Sequence, residues 1–259
     1  MSFSVSAAAN ETALAVVLTS GSGFPGNEEL TQAIAARIPA VVVAPEPLAT
    51  PADSLLLLHE GYMLTVMKVG APCPISADDP CVQNAWYWPG AQAEVKRHKR
   101  HMLVSVSGGA DAKRRAGLHG QMVAAVIGTA KDALAVHWAD SDSLWPAAFV
   151  AKGIAPGALA PPVMFCVAAK LSRDADGDVS AITQGLSAFG LMEIEARSFR
   201  GDPVALNGVI LDLAKYLVEA GAVIKDGDTI GPDAKMKVRV RHEDSILVAG
   251  TTVYRLYFA

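Results

Sequence analysis

The stretch "LLLLHEGYMLTVMKV" at residues 55–69 consists of two β-rich apolar runs broken at Glu60–Gly61. Such a break is typical of a β-hairpin, whose strands run antiparallel. Before it, the pattern predicts a strand at Ala13–Thr19, a helix at Glu28–Ile38 and a strand at Ala40–Ala44. The hairpin therefore interrupts the alternation of strands and helices that a parallel sheet requires.

The segment "KGIAPGALAPP", Lys152–Pro162, contains three prolines and two glycines, which deny it regular structure. We therefore predict an N-terminal α+β subdomain at residues 1–155 and a C-terminal α+β subdomain at residues 160–259. In the C-terminal part, strands outnumber helices and the connections are short. The predicted fold class is α+β: two packed α/β sandwich-like halves with largely antiparallel mixed sheets and helices on one face.

The sequence also predicts three local features: a helix cap, a short helix and a strand. Asn27 is the expected N-cap of the first helix. Residues 79–88 are expected to form a helix, and the apolar run "VMFCVAAKL" at Val163–Leu171 is expected to form a strand.

Composition limits the classes of function. The chain has 259 residues, of which 51% are hydrophobic and 19% charged, so it can build one large or two small cores. A net charge of −4 gives no general attraction for nucleic acid or for an anionic membrane. The cysteines, Cys73, Cys81 and Cys166, lack regular spacing and indicate reduced thiols. Because no basic segment precedes the first apolar run, we expect a cytoplasmic protein.

Gly21, Gly23 and Gly26 match the G-x-G-x-x-G pattern of dinucleotide-binding loops. Glu28 and Glu29 would fall in the first turn of the following helix, where they repel a diphosphate. The Phe24-Pro25 pair also removes a backbone donor from the loop. We interpret the motif as a turn and predict no cofactor.

The basic run "KRHKRH" at residues 96–101 allows two interpretations. It could bind a phosphate, RNA or an acidic partner, and His98 and His101 are spaced to share a metal on a helix. Alternatively, the cations collect at a helix C-terminus and remain solvated. No Cys-x-x-Cys or His-Glu-x-x-His motif accompanies the two histidines, so the sequence predicts no metal.

Trp86, Tyr87 and Trp88 stand together in a chain with only 6% aromatic residues. Trp and Tyr often line pockets or interfaces, because each has an apolar body and a polar group. The competing interpretation is core packing of a short helix against the sheet.

The sequence shows no recognisable catalytic set. "VSVSGGA" at residues 104–110 does not provide the G-x-S-x-G turn of a nucleophile elbow. His59, His119 and His137 are isolated along the chain, and such histidines are more often structural or surface groups. The sequence therefore leaves the catalytic residues unknown.

The order of the segments "APCPI", "WYWPGA", "HKRHMLVSVSG", "ITQGLSAFGLMEIEA" and "VIKDGDTIG" resembles a bacterial domain of unknown function, number 4261. The matching residues are Thr183, Gly185, Leu186, Phe189, Gly190, Glu193, Glu195, Asp226, Gly227, Asp228, Thr229, Ile230 and Gly231. The resemblance covers the C-terminal part of the chain and implies a bacterial cytoplasmic protein. It implies no activity, cofactor or catalytic residue. The polar members either line a cleft or satisfy backbone donors at strand ends.

Two functional hypotheses follow. The first is a non-enzymatic binding, adaptor or immunity-type module that contacts a protein partner, as a monomer or homodimer, with neither nucleic acid nor membrane involved. Its tentative binding residues are Trp86, Tyr87, Trp88, His98, His101, Glu193, Glu195 and Asp228. The alternative is a small-ligand-binding or hydrolytic enzyme with a pocket between the two halves, where carboxylates converge.

Overall fold

The computed structural model describes residues 11–21, 23–45, 53–173, 176–221, 223–231 and 237–258. These residues form two compact units, an N-terminal unit that ends at Cys166 and a C-terminal unit that begins at Val167. Each unit contains one sheet with helices packed on it. The predicted α+β class with mostly antiparallel sheets is confirmed, while the predicted division into subdomains at 155–160 stays a prediction.

The N-terminal unit is built on a seven-stranded sheet in the order β2-β3-β4-β5-β1-β6-β7, and all its pairings are antiparallel. Its strands are β1 (Thr12–Thr19), β2 (Val42–Val43), β3 (Ser54–His59), β4 (Tyr62–Val69), β5 (Arg100–Gly108), β6 (Ala133–Trp138) and β7 (Ser143–Pro146). Its helices are α1 (Asn27–Ala35), α2 (Pro80–Gln83), α3 (Ala91–Arg97), α4 (Ala112–Thr129), α5 (Ala147–Gly153) and α6 (Val163–Cys166).

The predicted hairpin is confirmed as β3 and β4, joined by Glu60 and Gly61. Both turn residues have positive φ, 47° and 83°, as a two-residue turn with the twist of a hairpin requires. Glycine adopts this conformation at little cost, and Glu60 adopts it in the same turn.

The glycine motif lies between β1, a strand of an antiparallel sheet, and helix α1. β1 runs antiparallel to both of its neighbours, β5 and β6, so the strand does not begin the parallel βαβ unit on which a dinucleotide loop depends. The backbone N–H of Gly21 donates to Asp132 Oδ2 at 2.5 Å. A carboxylate of the protein therefore occupies a donor that a phosphate would need.

Helices cover the sheet of the N-terminal unit on both faces. Helix α4 lies across β5 and β1, and its residues Arg115–Ile127 are all buried, with α1 and α5 beside it. On the opposite face, α2 and α3 cover the end formed by β1, β6 and β7, where Val82 and Val95 pack against Val16 and Leu18. The sequence predicted helices on one face of the sheet, whereas the N-terminal unit has helices on both faces.

Three local predictions are wrong. The N-cap of α1 is Gly26, and the amide of Asn27 instead donates to the Ser54 carbonyl at 3.1 Å. Helix α2 spans only Pro80–Gln83 within the predicted helix. The predicted strand at 163–171 is wrong over its first part, which is helix α6, because Pro162 directs the next residues into a helical turn, with Cys166 N donating to its carbonyl. The part from Ala168 onward is a strand, as predicted.

The C-terminal unit has a six-stranded sheet in the order β11-β12-β13-β10-β9-β8. Its strands are β8 (Ala168–Arg173), β9 (Val179–Gln184), β10 (Glu193–Phe199), β11 (Thr229–Ile230), β12 (Val238–Asp244) and β13 (Thr252–Phe258). β10 and β13 pair in parallel, and the other pairs are antiparallel. Helix α7 (Pro203–Ala220) packs on β8, β9 and β10. In the described part of the chain, every helix is too short or too polar to cross a membrane.

Candidate functional site

Four aromatic side chains form a continuous row around β7, the last strand of the N-terminal sheet. The ring of Tyr87 stacks on Trp145 with 4.1 Å between ring centroids, and Phe149 stacks on Trp145 at 5.3 Å. Trp86 meets Tyr87 edge to face at 5.7 Å. We call Trp86, Tyr87, Trp145 and Phe149 the aromatic row. It joins the segment after α2 to β7 and α5.

The two ends of the aromatic row are open to solvent. Trp86 is 52% exposed and Phe149 is 44% exposed, whereas Tyr87 and Trp145 between them are half-buried. Met164 is also exposed, and its Sδ lies near Gly153, which is one helical turn from Phe149. Trp86 and Phe149 are joined through the half-buried rings between them, and a contiguous apolar patch with exposed ends is typical of an interaction surface.

A second line of rings supports the row from inside the unit. Trp145 meets the fully buried ring of Phe165, which stacks on Trp138 at 5.7 Å, and Trp138 in turn meets His119. Burial lowers the pKa of His119 to about 4, so the ring is neutral near pH 7, and Nε2 donates to the Val104 carbonyl at 3.1 Å. The aromatic row is therefore backed by a packed core rather than by a mobile loop.

The polar atoms of the two central rings have partners in the protein. The Tyr87 hydroxyl donates to the Leu144 carbonyl at 3.0 Å, and Trp145 Nε1 donates to Ser143 Oγ at 3.1 Å. Burial, and next the neighbouring Cys81, raise the pKa of Tyr87 above its ordinary value. These bonds fix the orientation of the rings, and what the row offers a partner is its apolar faces.

The structure divides the three aromatic residues that the sequence singled out. Trp86 and Tyr87 belong to the aromatic row. Trp88 is half-buried and packs against the core formed by α2, α3 and β1. The interface and core interpretations thus apply to different members of one tripeptide, and the binding role stays a prediction.

His98 and His101 contact backbone carbonyls rather than each other. His98 Nδ1 contacts the Val95 carbonyl and Nε2 lies 3.1 Å from that of Cys73, while His101 Nδ1 lies 2.9 Å from the carbonyl of Ala71. Both histidines thereby hold the loop after β4 against the α3–β5 connection. In the same segment, Arg97 pairs with Glu94 at 2.7 Å.

Glu193 binds the turn that precedes its own strand. Its carboxylate accepts hydrogen bonds from the Thr183 hydroxyl at 2.6 Å and from the backbone N–H groups of Gly185 and Ser187. Burial raises its pKa, and these hydrogen bonds oppose the rise. The carboxylate thus accepts hydrogen bonds from backbone N–H groups at a strand end, which is one of the two roles considered for it from the sequence.

Glu195 lies on the same face of β10 as Glu193 and is fully buried. Its Oε1 is 3.2 Å from Nη2 of the buried Arg255 on β13, and its Oε2 accepts from the Ser245 hydroxyl. Arg255 Nε also lies 3.1 Å from a carboxylate oxygen of Glu243. Asp228 accepts from the backbone N–H of Lys225 in a turn.

The structure brings together three potential metal ligands that the sequence did not identify as a group. The sulfur of Cys81, a ring nitrogen of His137 and a carboxylate oxygen of Asp142 all lie within 4.8 Å of one another. They come from α2, β6 and the turn between β6 and β7. Because Cys81 is distant in sequence from His137 and Asp142, the three residues form no sequence motif. Cys, His and Asp are the residue types that bind zinc-class metals.

The comparisons with known proteins reach the C-terminal part of the chain. No curated protein matches the chain, and no solved structure matches it. The family model described as Domain of unknown function (DUF4261) matches residues 182–257, which run from β9 into β13 and include Glu193, Glu195 and Arg255. This match confirms that the C-terminal part of the protein resembles DUF4261, as its sequence pattern predicted.

Proposed function

We propose that this protein is a non-enzymatic binding module, of adaptor or immunity type, that holds a protein partner against the aromatic row. The observation that carries the proposal is the row itself. Its four rings are in contact, with Tyr87, Trp145 and Phe149 stacked and Trp86 edge to face on Tyr87, and Trp86 and Phe149 are exposed at the ends. Rigid aromatic side chains of this kind provide most of the free energy at many protein interfaces.

The chemistry of the row favours an apolar protein surface over a nucleic acid. Aromatic rings can also stack on bases, but single-stranded nucleic acid is bound with the help of a basic groove. This chain carries a net charge of −4, and Arg97 of the basic run is paired with Glu94. The partner is therefore expected to present apolar side chains that cover Trp86 and Phe149.

The backbone of β7 is not the binding element. Pro146 ends the strand and lacks an N–H, and the Leu144 carbonyl already accepts the hydroxyl of Tyr87. Edge strands protected in this way resist pairing with another chain. Recognition by side-chain faces is accordingly expected, rather than the addition of a strand.

The test compares what the protein binds in its source cell with and without the exposed ends of the row. Wild type and the double variant Trp86→Ala/Phe149→Ala are used as bait, and captured proteins are quantified by mass spectrometry. Tyr216→Ala is the matched control, because Tyr216 is 55% exposed on α7, outside the row. A partner retained by wild type and Tyr216→Ala but lost by the double variant supports the proposal.

Affinity for the purified partner then gives the magnitude. An aromatic anchor that the partner buries contributes about 2 kcal/mol or more, so Trp86→Ala should weaken binding about 30-fold. Equal affinity of wild type and the double variant would contradict the proposal. Light scattering of the pure protein tests whether the partner is a second copy of this chain. In that case the wild type forms a dimer and the double variant is monomeric.

A further inference from the structure

We propose that Cys81, His137 and Asp142 form a binding site for a divalent zinc-class metal ion, with one coordination position left for solvent. The inference does not depend on the proposed protein interface. Three side chains of metal-binding type meet with their donor atoms within 4.8 Å of one another. In zinc sites that keep an open position, three protein ligands of this kind hold the ion.

Rigid elements hold two of the three ligands. His137 lies in β6, paired through the backbone with Leu144 of β7, and its Nε2 is 2.9 Å from Asp142 Oδ1. Asp142 lies in the tight turn between these strands with a φ of 45°, and its N–H donates to the Ala139 carbonyl. A site built on paired strands needs little rearrangement to close around an ion.

The third ligand comes from the opposite layer. Cys81 lies in α2 and is 3% exposed, in the core that α2 and α3 form with β1, β6 and β7. The side chains of His137 and Asp142 are 17% and 31% exposed. The cluster is therefore closed at the sulfur and open at the carboxylate, so an ion can enter from solvent and keep a water as its fourth ligand.

The charge of the ligand set suits a divalent cation. On binding, the Cys81 thiol loses its proton to the buffer and the sulfur bonds to the metal, and no electron transfer is involved. His137 coordinates as a neutral imidazole, with one ring nitrogen on the ion and its proton on the other, so it adds no charge to the ligand set. Thiolate and carboxylate then bring two negative charges against two positive ones. Sulfur, imidazole and carboxylate together favour zinc over magnesium or calcium, which prefer oxygen ligands alone.

The test is a titration of the full, tag-free chain with Co²⁺, which reports sulfur ligation through a thiolate-to-cobalt charge-transfer band. We expect one equivalent to bind with that band, and Zn²⁺ to displace it. Cys81→Ser should abolish the band, whereas Cys166→Ser, a buried cysteine outside the cluster, should retain it.

Asp142→Asn provides the second arm, because its partly exposed position makes a folding defect less of a concern, and circular dichroism checks the fold. Loss of this ligand should weaken Co²⁺ binding at least about tenfold, since even the outer partners of metal ligands contribute that much. The proposal is overturned if wild type shows no charge-transfer band, or if Asp142→Asn and Cys81→Ser bind Co²⁺ as wild type does.

Discussion

Glu195 and Arg255 form an ion pair that the C-terminal unit closes off from solvent. Removing one partner of such a pair leaves the other charge buried, which costs more than the pair itself contributes. Glu195→Ala should therefore lower the free energy of unfolding by about 3 kcal/mol, since Arg255 keeps a contact with Glu243. Urea denaturation measures the change.

The controls separate burial from charge. Lys215→Ala breaks an exposed i,i+4 pair with Glu219 and should change stability by less than about 0.5 kcal/mol. Replacing both buried partners, as Glu195→Leu/Arg255→Met, should recover most of the loss. If Glu195→Ala were as stable as wild type, the ion pair would have no role in stability.

His119 gives the N-terminal unit a predictable response to acid. Its pKa is about 4 in the folded protein, against 6.5 for an unperturbed histidine, so the unfolded chain takes up the proton first. Stability from the neutral ring is complete above pH 6.5 and is lost as the pH falls towards 4, by up to about 3 kcal/mol. Urea midpoints at pH 7, 5.5 and about 4 measure this loss. The dependence should be smaller in His119→Gln, and an equal slope in both proteins would show that other groups are responsible.

Two of the three glycines in helix α4, Gly117 and Gly128, have opposite requirements. A Cβ at Gly117 would lie 1.9 Å from the Leu159 carbonyl oxygen, whereas a Cβ at Gly128 would meet no atom within 4 Å. Gly117→Ala should therefore destabilise the protein by about 3 kcal/mol through overpacking against backbone. Gly128→Ala should stabilise it by about 0.5–1 kcal/mol, because alanine loses less entropy in a helix. Thermal unfolding of both variants tests the pair, and similar effects would contradict the close approach.

The close approach of Gly117 to Leu159 is one of several contacts that hold the proline-rich segment after α5 against α4. Gln121, one turn further along α4, donates to the carbonyls of Ala155 and Ala158 at 2.9 and 2.7 Å. The proline-rich segment that the sequence marked as a boundary thus packs on α4 within the N-terminal unit.

The two units each have a sheet and a core of their own. We expect two unfolding transitions in urea or on heating. Glu195→Ala should lower the transition of the C-terminal unit, and Gly117→Ala should lower that of the N-terminal unit. Tryptophan fluorescence follows the N-terminal unit selectively, because Trp86, Trp88, Trp138 and Trp145 all lie in it. A single transition that both variants shift would contradict independent units.

Much of the fold could be predicted because it depends on local patterns. The hairpin at 55–69 and the first strand follow from apolar runs and turn residues, which act over a few positions. The strand predicted at 163–171 is observed only from Ala168 onward, because an apolar run does not by itself distinguish a strand from a short buried helix. There, Pro162 supplied a helical start. The N-cap is Gly26 rather than Asn27, and the Asn27 side chain bonds to other elements: Oδ1 accepts from Lys68 Nζ at 2.6 Å and Nδ2 donates to the Ser54 carbonyl.

The amino-acid pattern alone was enough to predict the α+β class, the resemblance of the C-terminal part to DUF4261 and the concentration of aromatic residues at 86–88. Only the tertiary structure shows that the rings of Tyr87, Trp145 and Phe149 stack in one row with Trp86 at its end, whereas Trp88 packs against the core. The same holds for Cys81, His137 and Asp142, which three separate elements bring together. Periodicity reports which face of one element is buried, but the partner across that face is chosen by packing between elements distant in sequence.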